Sequence, residues 1–217
     1  MKIKLSLFIV LLLVVSVFAT VSAEGQIAKQ VVIGRSADSI DLDPVTQDAN
    51  FNIWMFNLTL EGLVKTNNDG TAIEPCLADS WDISEDGLTY TFHLKKGVKF
   101  SDGTPVTGED WVWSLLRARD TEGSTWSFSL EALESVTAPD DNTVILTVKE
   151  PWAPFLADLS MFNATVQKKA YFESISHEEY SEKPLGTGPY IIKEWRRGEY
   201  LLFEKNPYYH IKGLPKT

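Results

Sequence analysis

Regular alternation of apolar and polar residues identifies the strands of this chain. Residues 88–94 (LTYTFHL) alternate over seven positions, which predicts a half-buried strand. Residues 143–148 alternate in the same way and predict an edge or surface strand. Residues 190–194 and 200–204 are predicted to pair as a hairpin, behind a glycine- and proline-containing turn at residues 186–189.

Apolar residues at spacings of three and four predict the helices. One such helix falls within residues 51–63. Another begins behind Thr107, which forms an acidic variant of the capping box with Asp110 three residues later. The apolar face of this second helix contains Trp111, Val112, Leu115 and Leu116. The other predicted elements are a buried strand at residues 30–34, short helices at 156–159 and 168–174, and a strand at 164–166. Together these elements predict a mixed α/β fold.

The first 23 residues have the pattern of a secretory signal peptide. Lys2 and Lys4 precede an apolar run from Leu5 to Ala19, and cleavage is predicted after Ala23. An uncleaved membrane anchor is the alternative. Cys76 is the single cysteine, so an intrachain disulfide is excluded, and it lies too far from the leader to carry a lipid. The product is therefore expected free in the periplasm or its equivalent, with Cys76 buried as a small hydrophobe.

Composition and charge reduce the number of functions that fit this chain. The chain has 217 residues, 44% hydrophobic and 23% charged, which is typical of a globular protein and not of a disordered or polytopic membrane protein. Its formal charge of −10 argues against nucleic acid as a partner, because phosphate binding needs clustered Lys and Arg. His93, His177 and His210 lack the spacing of metal ligands, and no phosphate loop or dinucleotide motif is present, so no cofactor or metal is predicted.

Aromatic residues are the remaining candidates for chemistry. Trp126 and Phe128 lie in a polar segment, where aromatic rings are less easily buried. Such rings can stack on a ligand, or they can fold the loop down onto the protein. The sequence pattern leaves both readings open.

Six ordered sequence blocks carry a family resemblance. They are residues 42–44 (LDP), 61–64 (EGLV), 77–81 (LADSW), 86–107 (DGLTYTFHLKKGVKFSDGTPVT), 186–190 (GTGPY) and 206–209 (NPYY). In this order they resemble the extracytoplasmic solute-binding proteins of peptide-type ABC transporters, family 5. The resemblance implies capture of a solute for a membrane permease, with no bond broken and therefore no enzyme activity. A secreted hydrolase of glycans or peptides and an envelope interaction module are the alternatives.

The resemblance also implies a ligand class and a site. Oligopeptide is favoured as the ligand over oligosaccharide and over nickel. Oligosaccharide stays an alternative because the chain is rich in Trp, whose rings can stack on sugars. In peptide-binding relatives the stretch shortly after Leu-Asp-Pro contacts the ligand main chain, and here that stretch is Asp48, Ala49 and Asn50. An aromatic residue after the Trp111 helix leans towards the ligand in those relatives. Trp126 is the nearest match and Phe128 the alternative.

Family members are much longer than this chain, which implies an unusual domain organisation. Residues 24–62 and 163–217 are expected to form a discontinuous, incomplete ligand-binding lobe of the class II periplasmic-binding-protein type. Residues 63–162 are expected to form an appended α/β domain. The second lobe is expected to be missing, so the chain is interpreted as an amino-terminal fragment. It is expected to bind weakly or not at all unless a complementary carboxy-terminal chain restores the clamp.

Overall fold

The computed structural model describes residues 30–47 and 49–216, and the predicted signal peptide and Asp48 lie outside them. The strands are β1 (Val64–Thr66), β2 (Ile73–Pro75), β3 (Ala78–Ile83), β4 (Thr89–Leu94), β5 (Leu133–Asp140), β6 (Thr143–Val148), β7 (Tyr190–Arg196) and β8 (Tyr200–Lys205). The helices are α1 (Asn50–Thr59), α2 (Gly108–Asp120), α3 (Phe155–Asp158), α4 (Lys169–Ser174) and α5 (His177–Glu182). Two 3-10 turns span Ser127–Leu130 and Phe162–Ala164. The mixed α/β prediction is confirmed.

Four antiparallel strands form the main sheet, in the order β3-β4-β6-β5. The buried residues of β4 are Tyr90, Phe92 and Leu94, which confirms the predicted alternation. They belong to a core that also contains Trp111 and Leu115 of α2. This helix begins at Thr107 with the predicted capping box.

Three predicted strands differ from the structure. Residues 30–34 form no strand, and Val31, Val32 and Ile33 are 68%, 84% and 64% exposed. The strand at residues 143–148 is confirmed, but it lies between two neighbours and not at an edge, because β5 pairs with its far side. At residues 164–166 the predicted strand is reduced to a single bridge between Gly62 and Thr165.

A second, smaller core lies beneath the hairpin of β7 and β8. Its buried members are Leu42, Met55, Phe56, Leu60, Phe162 and Ile192. Residues 35–216 form one compact unit by their backbone contacts. The division into a discontinuous lobe and an appended domain of residues 63–162 stays a prediction. In the part of the chain that the structure describes, no helix is both long and apolar enough to cross a membrane.

The Gly-Thr-Gly turn fixes the carboxyl end of α1. A Cβ atom on Gly186 would lie 2.2 Å from the Thr59 carbonyl oxygen, and one on Gly188 would lie 2.6 Å from the Thr59 carbonyl carbon. The Gly188 amide donates to that oxygen at 3.0 Å. The Asn206 side-chain amide in turn donates to the Gly188 carbonyl at 2.8 Å. Two of the blocks that carry the family resemblance therefore serve packing, and the block at residues 186–190 needs glycine because only glycine allows this close approach.

Candidate functional site

The predicted ligand turn leads directly into α1. Ala49 is the residue before the helix and has an extended backbone, and it provides no capping side chain. Asn50 is the first helical residue and is exposed, while Asp48 lies outside the described residues. The first amides of a helix have no partner within the helix. The Asn52 amide already donates to the Ala49 carbonyl at 2.8 Å, so the amides of Asn50 and Phe51 are the donors that this helix start offers to an acceptor group.

A buried carboxylate holds the chain ahead of this turn. Asp43 is fully buried and receives both terminal nitrogens of Arg117, which lies 74 residues away on α2. The same carboxylate accepts the Val45 amide at 3.0 Å and contacts His177 Nε2 at 2.9 Å. Paired geometry of this kind is needed for a charge taken out of water. The Leu-Asp-Pro block therefore anchors the turn to α2.

Arg117 also contacts Gln167 and Phe172. Its guanidinium donates to Gln167 Oε1 at 2.8 Å and lies 4.2 Å from the ring centre of Phe172. The hydroxyl of Tyr180 donates to the same Gln167 oxygen at 2.7 Å. Burial, reinforced by the charge of Asp43, raises the pKa of Tyr180 far above its ordinary range. Arg117 therefore joins four segments of the chain around one ion pair.

Hydrogen bonds of side-chain amides link the residues on the two sides of positions 48–50. Gln47 Nε2 donates to Asp41 Oδ2 at 3.0 Å, and Asn52 Nδ2 donates to Gln47 Oε1 at 3.3 Å. Asp41 also accepts the Asp43 amide at 2.7 Å. The residues on either side of positions 48–50 are thus linked to each other and to the buried carboxylate.

The aromatic candidates lie beside α1. Trp126 is half-buried and Phe128 is 62% exposed, and their ring centres are 5.6 Å apart. Trp126 meets Phe162 edge to face at 5.2 Å, and Phe162 stacks on Phe56 of α1 at 5.3 Å. We call Phe56, Phe162, Trp126 and Phe128 the aromatic row. It brings the segment of Trp126 and Phe128 next to the helix that begins at Asn50.

Three residues of this arrangement were missed by the sequence analysis. Phe162 bridges two segments far apart in sequence, and no local pattern marks it. Arg117 lies on the predicted α2, but its partner Asp43 is defined only by the fold. Trp54 follows Asn50 by four residues on α1, so the two share one helix face, and Trp54 is 61% exposed. An exposed tryptophan beside the predicted turn was a signal that the sequence contained.

Two depressions of the surface lie away from these residues. An open one of about 610 Å³ is lined by Thr46, Trp113, Leu116, Arg117, Asp120, Thr121, Phe172 and His177. A smaller one of about 160 Å³ lies between β4 and the start of α2. Neither is lined by Ala49, Asn50, Trp126 or Phe128.

Two further titratable groups form local pairs. His93 contacts Asp82 across β3 and β4 at 2.8 Å. Cys76 is half-buried and not fully buried as predicted, and its thiol lies 3.9 Å from a Glu61 oxygen. Burial and the Glu61 charge raise the pKa of this thiol to about 12, which makes it unreactive. Among the described residues, no three His, Cys, Asp or Glu side chains are placed to hold a metal.

Comparison with family models places most of the chain in one group. Residues 72–217 match the model described as bacterial extracellular solute-binding proteins, family 5, middle part. This match covers more than half of the chain and includes Trp126, Phe128 and the Gly-Thr-Gly turn.

Individual relatives are similar over most of the chain. A probable D,D-dipeptide-binding periplasmic protein of Escherichia coli strain K12 is 34% identical over 188 residues, which are 82% of this chain and 36% of that protein. A glutathione-binding protein of Pectobacterium atrosepticum is 33% identical over 190 residues, 87% of this chain and 37% of that protein. The chain therefore spans about a third of the length of these relatives.

Solved structures agree in fold. A periplasmic binding protein associated with an ABC transporter of Helicobacter pylori, in complex with the peptide STSA, superimposes with a TM-score of 0.71 and 32% identity. The match covers 80% of this chain and 38% of that one.

Proposed function

Because the chain belongs to family 5 of the bacterial extracellular solute-binding proteins, we propose that it provides one wall of a solute-binding cleft that serves an ABC importer. The aromatic row carries this proposal, since it links Trp126 and Phe128 to Phe56 of α1, the helix that begins at Asn50. Two of the proteins compared above are named as periplasmic proteins, which supports an extracytoplasmic location. The predicted signal peptide and a product free of a lipid anchor are part of the same proposal.

An oligopeptide is the ligand that we propose. The relatives compared above are named for a D,D-dipeptide, for glutathione and for a bound peptide. A peptide main chain presents carbonyl acceptors, and the start of α1 presents amide donors. Aromatic faces at Trp126 and Phe128 can pack on peptide side chains or on sugar rings, so oligosaccharide remains the alternative ligand.

Binding without catalysis fits these groups better than a secreted hydrolase does. Of the five predicted ligand residues only Asp48 carries an acid, base or nucleophile, and hydrolysis needs at least a positioned pair of such groups. We propose that the chain acts as part of a clamp that closes over the solute and then delivers it to a membrane permease. In the relatives, about two thirds of the length lies outside the matched region. A complementary carboxy-terminal chain is the partner that we propose for the opposite wall.

Nuclear magnetic resonance titration of the chain tests this function. The probes are the tetrapeptide Ser-Thr-Ser-Ala, glutathione and maltotriose. We expect Ser-Thr-Ser-Ala to shift the amides of Ala49 and Asn50 and the indole of Trp126, with a dissociation constant of about 1 mM because one wall supplies part of the contacts.

Two variants make the titration specific. Trp126→Ala is expected to weaken peptide binding about three- to tenfold, the contribution of a stacked aromatic pair. Trp152→Ala removes another partly exposed tryptophan, outside the aromatic row, and is expected to leave binding unchanged. Peptide shifts that avoid α1 and Trp126, or an equal loss in both variants, would contradict the proposal. Selective shifts with maltotriose alone would replace peptide by sugar.

A further inference from the structure

The backbone of the Trp126 segment is held by a distant buried amide. Asn163 is fully buried, and its Nδ2 donates to the Trp126 carbonyl and to Ser129 Oγ, at 3.0 Å in each case. The Ser129 hydroxyl donates to the same carbonyl at 2.9 Å, and the Ser129 amide does so at 3.1 Å. Three donors therefore converge on the carbonyl of Trp126. One of them comes from a segment 37 residues further along the chain.

Phe162, the residue before Asn163, holds the side chain of Trp126. Phe162 is buried between Phe56 of α1 and Trp126, with ring centres 5.3 and 5.2 Å away. Its own backbone is fixed, because its carbonyl accepts the Thr165 hydroxyl at 2.8 Å. The neighbouring Val166 amide donates to Glu61 O, just beyond α1, at 3.0 Å. Phe162 and Asn163 thus connect the Trp126 segment to α1 by a side chain and by a hydrogen-bonded amide.

This arrangement leaves buried polar atoms unpaired, and the free energy that this costs indicates a role beyond packing. Asn163 Oδ1 is buried and has no hydrogen-bond partner among the described residues, and the same holds for Trp126 Nε1. A buried polar atom without a partner destabilises a protein, and an apolar residue of the same shape would avoid that cost. The indole also has no hydrogen bond of its own to orient it. Its position therefore depends on Phe162 and on the backbone held by Asn163.

We propose that Phe162 and Asn163 are positioning residues that set the orientation of Trp126 and Phe128 relative to the start of α1. This inference rests on the proposed function, in which those aromatic residues face the solute. Neither positioning residue touches the ligand. Each acts through the segment that it holds.

Asn163→Leu separates positioning from stability. Leucine has nearly the shape of asparagine. It removes the unpaired oxygen but also the two hydrogen bonds of Nδ2, and because these effects oppose each other the melting temperature is expected to change little. The Trp126 indole resonance, assigned by its loss in Trp126→Phe, is expected to shift or broaden. Affinity for Ser-Thr-Ser-Ala is expected to fall about tenfold, because a misplaced contact group loses its interaction.

Matched variants complete the test. Ser129→Ala keeps the Asn163 bond to the Trp126 carbonyl and is expected to change affinity less than about twofold. Phe162→Leu keeps an apolar side chain but removes the ring, so the Trp126 resonance and the affinity are expected to change as in Asn163→Leu. If Asn163→Leu does not fold, the result for Phe162→Leu decides the test.

A folded Asn163→Leu with an unchanged Trp126 resonance and unchanged affinity would overturn the inference. A wild-type chain that ignores the peptide would instead overturn the proposed function. In that case the Trp126 resonance in the variants still decides whether Asn163 positions the loop.

Discussion

Asp43 has the most demanding environment of any single residue near the candidate site. It is fully buried, it lies two residues before Val45 of the main core, and its charge is balanced by Arg117. His177 adds a contact from α5. Removing one member of such a pair leaves the other charge buried and uncompensated.

Asp43→Ala is expected to lower the free energy of unfolding by about 3–5 kcal/mol, because Arg117 would lose its buried partner. Asp69→Ala, in an exposed turn, is the matched control and is expected to change it by less than about 0.5 kcal/mol. Urea denaturation of both variants measures the difference. A loss below about 1 kcal/mol in Asp43→Ala would show that the ion pair does not hold the turn.

Gly186→Ala tests the contact between the Gly-Thr-Gly turn and α1. The new methyl group would overlap the Thr59 carbonyl oxygen and the Leu60 side chain, so we expect destabilisation of about 1–3 kcal/mol or more. Gly34→Ala has no atom within 4 Å of the added carbon and is the control. Thermal unfolding of the two variants measures the effect, and equal melting temperatures would disprove the close approach.

At the scale of elements, the hairpin of β7 and β8 is tied to the loop before Leu42 by Asp38. This carboxylate accepts the Gly198 amide at 2.8 Å and the Trp195 indole at 3.2 Å. It also accepts the Ser39 amide at 2.8 Å. Burial, the largest single influence, raises the pKa of Asp38, but these hydrogen bonds and the charge of Arg35 together outweigh it. The pKa is therefore below its ordinary value of 3.8.

A lowered pKa makes the contribution of Asp38 to stability depend on pH. The stabilisation is complete above the pKa of the unfolded chain, near 3.8, and it disappears as the pH falls through the lower pKa of the folded state. We expect Asp38→Asn to be less stable than wild type at pH 6 and to lose less stability than wild type between pH 5 and pH 2.5. Urea denaturation across that range measures both slopes, and parallel slopes would contradict the prediction.

Local signals predicted some elements well and others not. Helix α2 was predicted because its cap and apolar face both lie in one short stretch, from Thr107 to Leu116. Strand β5 was missed because its register shifts near both ends, which breaks the alternation, and because Pro139 lies within it. Helix α5 was missed although Ser176 and Glu179 form a capping box, since its six residues show no apolar period. Residues 30–34 have the apolar composition of a buried strand but form none, because a strand also needs a neighbouring strand with which to pair.

At the scale of the whole molecule, the candidate site combines segments that the sequence keeps apart. The family resemblance selected Asp48, Ala49, Asn50, Trp126 and Phe128, and Phe162 links the Trp126 segment to Phe56, six residues beyond Asn50 on the same helix. That bridge, like the pair of Asp43 and Arg117, joins residues more than thirty positions apart. Such contacts depend on the complete fold, so no local pattern could predict them. The assignment of these residues to ligand binding stays a prediction.

Photo-crosslinking locates the bound peptide on this surface. Ser-Thr-Ser-Ala carrying a benzophenone group is irradiated with the chain, and the attached residues are identified by mass spectrometry. We predict adducts in residues 48–54 and 126–128, reduced by an excess of unlabelled peptide. Adducts confined to the depression around Trp113, Phe172 and His177, or labelling that unlabelled peptide does not reduce, would contradict a ligand face on the aromatic row.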